Sequence, residues 1–291
     1  MVDLPPPRRL DIPSGVARTA MYMSLVRNHE SRRPDALFHD PFSDVVVAAL
    51  AGTPEMDELA AGFGVAADAF GDVWDKPEFR YFPVRTRYFD DRLIAAMRGG
   101  IRQVVSLGAG LDGRPMRLEC PPGTRWYELD LPEMVAFKEV LIARAEPGPR
   151  CTRRSVGGDL ASDWRSGLNE AGFDQRQPTV WLVEGLLMYL PDETADRLLA
   201  ELTNVSAPDS ELLAEHLNTT MLAARGGTIH DAVESQNTTF VSARDDLADW
   251  LAGHGWRAEV HAESDPAIGY GRRVPEAPLG WLAHGFLDSA G

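Results

Sequence analysis

Val104-Val105-Ser106-Leu107-Gly108-Ala109-Gly110-Leu111-Asp112-Gly113-Arg114 is the stretch that decides how this chain folds. Val104, Val105 and Leu107 make the apolar run of a central parallel strand. Gly108 and Gly110 have no Cβ, so the backbone can turn tightly there and come close to a ligand. A helix, short because of Pro115 and Pro121, is expected from near Asp112, with its first free N–H groups facing the turn. In an open α/β sheet, ligands sit beyond the carboxyl ends of the strands at such a turn. The stretch therefore predicts a cofactor site.

Taken literally, Gly108 to Gly113 is a G-x-G-x-x-G, and Asp130 follows about 20 residues on, as a dinucleotide fingerprint requires. Asp112 opposes a dinucleotide. A carboxylate at the helix start competes with a pyrophosphate for the same amides and repels it. A phosphate-free cofactor with a cationic amino end meets no such conflict, and S-adenosylmethionine is of that kind.

Working outward, the middle of the chain alternates strands and helices. Strands are expected at Gln103 to Leu107, Arg125 to Asp130, Thr152 to Val156, Thr179 to Glu184 and Ser210 to His216. Helices are expected over 133–145 and from Asp192 to Asn204. A helix from Asp245 to Leu251, a strand from Arg257 to His261 and a last strand from Trp281 to Leu287 complete the pattern. Such alternation means an α/β sheet with helices on both faces. Residues 217–240 show no clear period and read as a loop or lid. The N-terminal third is helical: a Pro-rich arm over 1–13, a helix from Ser14, which can cap it, short helices within 53–80, and a long helix from Val84 to Met97. The expected organisation is an arm and helical cap over 1–95 and a core over 96–291 with a lid insertion at 217–243, together one compact unit.

Composition bounds the partners. The chain has 291 residues, 44% hydrophobic and 25% charged, enough apolar material for a real core. Its net charge of −15, with no block of Lys and Arg, argues against nucleic acid and anionic membrane. No apolar run approaches the ~18 residues of a membrane span. Met1 to Leu10 lacks the apolar core of a signal peptide. Two cysteines, Cys120 and Cys151, read as free thiols in a reducing cytoplasm. No Cys/His spacing indicates a metal.

Three acids end strands: Asp130, Asp159 and Glu184. Strand ends of a parallel sheet share one edge, so all three can line one cleft. Any one of them alone is as readily a solvated loop acid, and Asp130 can simply cap the next helix. Arg80, Arg85, Arg87 and Arg92 precede strand one. An arginine fork can hold a carboxylate, though an isolated arginine is more often a solvated helix face. The seven histidines are read as structural, with His216 the exception because it ends strand five beside the expected cleft. No G-x-S-x-G elbow is present. Tyr189 stands out in the apolar stretch after strand four, where Leu186, Leu187 and Leu190 read as core.

Several phrases in order carry a resemblance. Leu107-Gly108-Ala109-Gly110-Leu111-Asp112-x-Arg114, Glu128-Leu129-Asp130-Leu131-Pro132 and Val183-Glu184-Gly185-Leu186-Leu187-Met188-Tyr189-Leu190 resemble the leucine carboxyl methyltransferase family. The likeness is to its bacterial branch of S-adenosylmethionine-dependent O-methyltransferases, which includes polyketide carboxyl methyltransferases. Ala17-Arg18-Thr19-Ala20, Asp40-Pro41 and Val84-Arg85-Thr86-Arg87-Tyr88-Phe89 agree with it. The resemblance covers residues 14 to 215 well and is weaker beyond. It implies a class I, Rossmann-like methyltransferase sheet with a helical cap and an insertion after strand five. It implies that Arg85, or secondarily Arg87, binds the methionine carboxylate. Gly108, Ala109 and Gly110 would pass under the methionine part, and Asp130 with Leu131 would take the ribose hydroxyls. Asp159 with Leu160 would hold the adenine edge. Glu184 with Gly185 would lie near the cofactor's amino group, and Tyr189 near the acceptor. Gly113, Pro115 and Met116 depart from the family pattern.

A carboxylate acceptor is already ionised at pH 7 and needs positioning, not a base. A phenol, with a pKa near 10, needs a base. The expected activity is thus carboxyl O-methylation of a small molecule, with Tyr189 or Arg85 orienting the acid. A phenol methyltransferase using His216 as base, a nicotinamide-dependent oxidoreductase, a non-catalytic binding protein and a methyltransferase acting on a protein C-terminus are the alternatives. A cytoplasmic monomer or homodimer is expected.

Overall fold

The computed structural model describes residues 11–64, 73–74, 76, 79–224, 228–272 and 279–287. Among these, seven strands form one sheet: β1 (Gln103–Leu107), β2 (Arg125–Asp130), β3 (Thr152–Gly157), β4 (Thr179–Val183), β5 (Glu211–Leu217), β6 (Arg257–Ala262) and β7 (Gly280–Phe286). Their order is β3-β2-β1-β4-β5-β7-β6. The first five run parallel, and β7 is antiparallel to both β5 and β6. From β1 the chain builds outward through β2 to β3, then returns to place β4 on the other side of β1. The connections leaving β1 and β4 diverge there, which opens the crevice where ligands of such sheets bind. This is the α/β, Rossmann-like sheet that the alternation predicts.

Helices cover both faces. Val105, Leu107, Leu129, Trp181, Val183 and Ala214 pack against α7 (Trp164–Glu170), α8 (Asp192–Val205) and α11 (Leu247–Gly253). Val104, Trp126, Val180, Leu182 and Leu213 pack against α4 (Tyr81–Arg98). A third core joins α1 (Val16–Ser31), α2 (Pro41–Leu50) and α3 (Pro54–Gly62) to α6 (Pro132–Ile142) and to Ala232 of α10 (Thr228–Glu234). The N-terminal helices are therefore buried against the ligand edge of the sheet.

Local chemistry explains where the elements differ from expectation. Gly15, not Ser14, occupies the N-cap of α1. α4 starts at Tyr81 rather than Val84 because Pro83 falls in its first turn, where a missing N–H costs nothing. The short helix expected after β1 is α5 (Arg114–Arg117), with Pro115 in its first turn and extended backbone at Leu118. α7 lies where no helix was expected; the Asp163 side chain caps it, and Trp164 and Leu168 bury its apolar side. The insertion after β5 contains α9 (Thr219–Ala223) and α10. Most of the N-terminal arm and residues 225–227 of the segment expected as a lid lie outside the described residues. No helix among the described residues is long and apolar enough to cross a membrane.

Candidate active site

The carboxyl ends of β1, β2 and β4, together with α1, enclose a cleft of about 380 Å³. The glycine turn forms its floor. Gly110 has φ 42°, and a Cβ there would stand 2.9 Å from the Cβ of Ala20 on α1. The turn is thus pressed against the helix above it, and only glycine fits. The Gly110 N–H donates to the Asp130 carboxylate at 2.6 Å, and the Leu131 N–H donates to it at 2.7 Å. Burial raises the Asp130 pKa, against the pull of these two amides and of Lys138. An amide that a pyrophosphate would need is therefore already occupied by a carboxylate.

Beyond the turn lies a lattice of buried charge. Arg85, on α4, places Nε 2.9 Å from Glu184 and Nη1 2.8 Å from both oxygens of Glu215. Glu215 also accepts the Gly185 N–H at 2.8 Å. Glu184 reaches Arg114 at 2.7 Å, and Arg114 in turn pairs with Asp112 at 3.0 Å and Asp90 at 2.7 Å. Burial disfavours the charge on Arg85, but Glu215 and Glu184 outweigh it and raise its pKa. Burial likewise pushes Asp112 up, yet Arg114, Lys138 and Arg27 more than reverse it and hold its carboxyl below the usual range. Nη2 of Arg85 donates to the thioether sulfur of Met23, at 3.2 Å. A thioether is a weak acceptor, so an anion can displace it with profit.

Of the residues singled out from sequence, Arg85, Gly108, Ala109, Gly110, Asp130, Leu131, Asp159, Leu160, Glu184, Gly185 and Tyr189 all line this cleft. Arg87 does not. It turns to the far side of α4, where it bonds Asp91 and the Leu37 carbonyl, both at 2.8 Å. His216 does not either. Alternation along β5 puts Glu215 on the α4 face and His216 on the opposite one, against Trp250 and Ser242. Burial there, reinforced by Arg244, lowers the His216 pKa to about 4, so the ring is neutral at pH 7. Glu215, Arg114, Arg27 and the Thr19 to Met23 side of α1 were not assigned roles from sequence. The period-2 rule applied to β5 would have found Glu215. The departure at Gly113 has a cause: a Cβ there would run into the Asp40 carboxylate, which pairs with Arg27 at 2.8 Å.

A second, smaller cavity of about 80 Å³ opens off the first. Thr19, Met23, Arg85, Gly185 and Tyr189 line both. Half of its other lining residues are aromatic, among them Tyr22, Phe63, Trp74, Phe79, Phe82 and Phe240, and the other half are aliphatic, among them Met188, Leu217 and Ile229. At the shared mouth, burial pushes the Tyr189 hydroxyl up to about 12, with Thr19 as its hydrogen-bond partner. Among the described residues no group of His, Cys, Asp and Glu could hold a metal.

Known proteins resemble this chain along most of its length. The sequence profile of the leucine carboxyl methyltransferase family matches residues 20–203. A protein of Parafrankia sp. (strain EAN1pec), provisionally named an S-adenosyl-L-methionine-dependent methyltransferase, is 40% identical over 278 residues, 91% of this chain and 85% of its own. A protein of Mycolicibacterium smegmatis with a similar provisional name is 37% identical over 275 residues, 91% of each chain. Among solved structures, a methyltransferase from Thermobifida fusca superposes with a TM-score of 0.55 at 17% identity, over 80% of this chain and 94% of that one. A DUF574 family protein from Streptomyces avermitilis gives a TM-score of 0.55 at 18% identity, over 79% of this chain and 96% of that one. At such low identity these two show the fold alone.

Proposed function

The chain belongs to the leucine carboxyl methyltransferase family, and from that premise we propose that it methylates a carboxylate oxygen of a small molecule. Its cofactor is S-adenosylmethionine. The cleft has the character that cofactor needs: a floor that a Cβ would fill, acids at the strand ends, and a turn amide closed to phosphate. Asp130 holds the ribose diol, and Asp159 with Leu160 the adenine edge. Glu184 and Gly185 meet the amino group, and Nη2 of Arg85 exchanges the Met23 sulfur for the methionine carboxylate. Gly108 and Ala109 support the methionine part with Gly110. When bound, S-adenosylmethionine supplies a methyl carbon on a sulfonium, so that a C–O bond forms as the C–S bond breaks and the sulfur keeps the electron pair.

The observation that carries the carboxylate is the pair of titratable side chains at the mouth between the two cavities. Arg85 is a cation and Tyr189 a phenol with its pKa pushed up to about 12. Both donate hydrogen bonds at pH 7, and neither accepts a proton. Such a mouth suits an acceptor that arrives already ionised. Tyr189 orients the acid, while the apolar walls beyond it exclude water from the acceptor oxygen. His216, the one base the sequence offered, faces the other side of the sheet.

Methyl-labelled S-adenosylmethionine and a panel of acids and phenols test this. The labelled product is expected to release methanol on base treatment, as a methyl ester does. Label that survives base, in an ether, would refute carboxyl transfer.

A further inference from the structure

One buried acid lines neither cavity. Glu263 follows β6, and its N–H donates to the Gly280 carbonyl at 3.2 Å, which continues the β6–β7 pairing by one step. In that pairing His261 lies opposite Leu282, and Leu282 lies opposite Glu215 on β5. Alternation gives Glu263 the face of His261, so it shares the α4 face with Glu215 and stands one step along the sheet. Gly280, opposite Glu263, has no side chain to stand between it and β5.

Glu263 is 2% exposed and Glu215 is fully buried, but the two acids are not served alike. Glu215 accepts from Nη1 of Arg85 on both oxygens, from the Gly185 N–H and, at 3.5 Å, from the Tyr81 hydroxyl. Neither oxygen of Glu263 has a hydrogen-bond partner; the Leu279 and Gly280 amides lie near it without bonding it. The cation facing both acids is Arg85, which Glu184 also holds. A guanidinium already shared between Glu184 and Glu215 cannot balance a third buried carboxylate, and two like charges so placed do not both ionise. The proton goes to the acid without donors. Burial and Glu215 push the Glu263 carboxyl well above the usual range, against Arg85 and the two amides. Tyr81, which also faces it from α4, is kept neutral by burial and by both acids. His261, two residues back on β6, pairs with Asp265 at 2.9 Å.

We propose that Glu263 is a neutral carboxylic acid at pH 7, and that its proton leaves Arg85 the positive charge with which it meets an incoming carboxylate. Glu263 is a positioning residue: it acts through Glu215 and Arg85 and touches no ligand. Without the proton, a second buried negative charge beside Glu215 would draw the guanidinium away from Met23 and repel the carboxylate due at Nη2. The role rests on the reading of Arg85 as the holder of the methionine carboxylate, whereas the proton itself does not.

The full chain and Glu263→Gln would be unfolded in urea from about pH 5 to about pH 9 with no cofactor present. A carboxyl whose pKa rises on folding contributes fully only below its ordinary value of about 4.3, and the contribution is lost as the pH climbs toward the folded pKa. The wild-type unfolding constant is therefore expected to rise, relative to that of Glu263→Gln, by up to about tenfold per pH unit. Parallel profiles would mean an ionised Glu263 and overturn the proposal. Infrared spectra of the wild type give the same test should the variant not fold. The C=O stretch of a protonated carboxyl is expected at pH 7, and its absence overturns the proposal. Glu215→Gln separates positioning from burial. Loss of the like charge should move the midpoint of that band at least about one pH unit lower. An unmoved midpoint means that burial alone holds the proton, and overturns the role. Calorimetry with S-adenosylhomocysteine checks the link to Arg85. Between about pH 7 and about pH 9 the wild type is expected to lose at least about fivefold more affinity than Glu263→Gln. Equal losses overturn the role. A wild type that does not bind S-adenosylhomocysteine at pH 7 overturns the cofactor site instead, and the unfolding and infrared results still judge the proton.

Discussion

The two cavities that meet at Tyr189 are built by different forces. The cofactor cleft is held by charge: Arg85 and Arg114 share Glu184, Arg85 also pairs with Glu215, and Arg114 with Asp112 and Asp90. The smaller cavity is held by ring packing, with Arg85 its one charged lining residue among those described. Charge pairs fix atoms at set distances and suit a cofactor that must always sit the same way. Ring packing fixes a shape and tolerates exchange, so it suits the partner that differs from one enzyme to the next. Arg85 stands on the border and belongs to both.

Removing Arg85 should break that division most severely. Arg85→Ala leaves Glu184 and Glu215 without their shared cation in a buried place. A stability loss of about 3–5 kcal/mol in urea unfolding is expected, with methyl transfer abolished. A variant that unfolded at the wild-type urea concentration would show that the lattice is not what holds the cleft.

His216 tests where the border runs along β5. Its folded pKa, about 4, lies below the ordinary 6.5, so the unfolded chain binds a proton that the folded chain refuses. Stability from this group is complete above pH 6.5 and falls as the pH drops toward 4, by up to about 3 kcal/mol. His216→Gln should flatten that part of the stability profile and leave kcat at pH 7 within about twofold, since the ring is on the far face of the sheet. Loss of activity without a change in the profile would move His216 into the site.

Smaller substitutions should separate the two regions. Asp130→Asn weakens a charged acceptor in the cleft alone, so cofactor affinity should fall roughly 10–100-fold by calorimetry while the acceptor KM holds. Tyr189→Phe removes one hydrogen bond at the mouth, and kcat/KM for the acid should drop about fivefold with cofactor affinity unchanged. If both variants moved the same parameter, the cavities would not be separate binding regions.

Much of the cleft was legible in the sequence because its signals are local. A buried strand running into Gly108 and Gly110 is a statement about neighbouring residues, and so is a strand that ends on Asp130. The strands from β1 to β5 consequently fell within a residue or two of expectation. The helices did so less well. α7 is short and held by the Asp163 cap and two buried side chains. From the sequence Arg85 is preferred to Arg87, and packing separates them, one toward Glu215 and one toward Asp91.

By itself the sequence determined the sheet, the glycine turn, the acids at the strand ends and the family. Each of these rests on the period of a strand or on the backbone freedom of a residue type, which neighbours along the chain suffice to express. The tertiary structure alone decided that Glu215 rather than His216 backs the site through Arg85, that Arg85 is shared between two carboxylates, and that α1, α4 and α10 close a second cavity beside the cleft. Those facts are distances between residues well separated in the chain, 130 positions for Arg85 and Glu215. They come into being only when the sheet brings the strand ends to one edge and the helices pack over it.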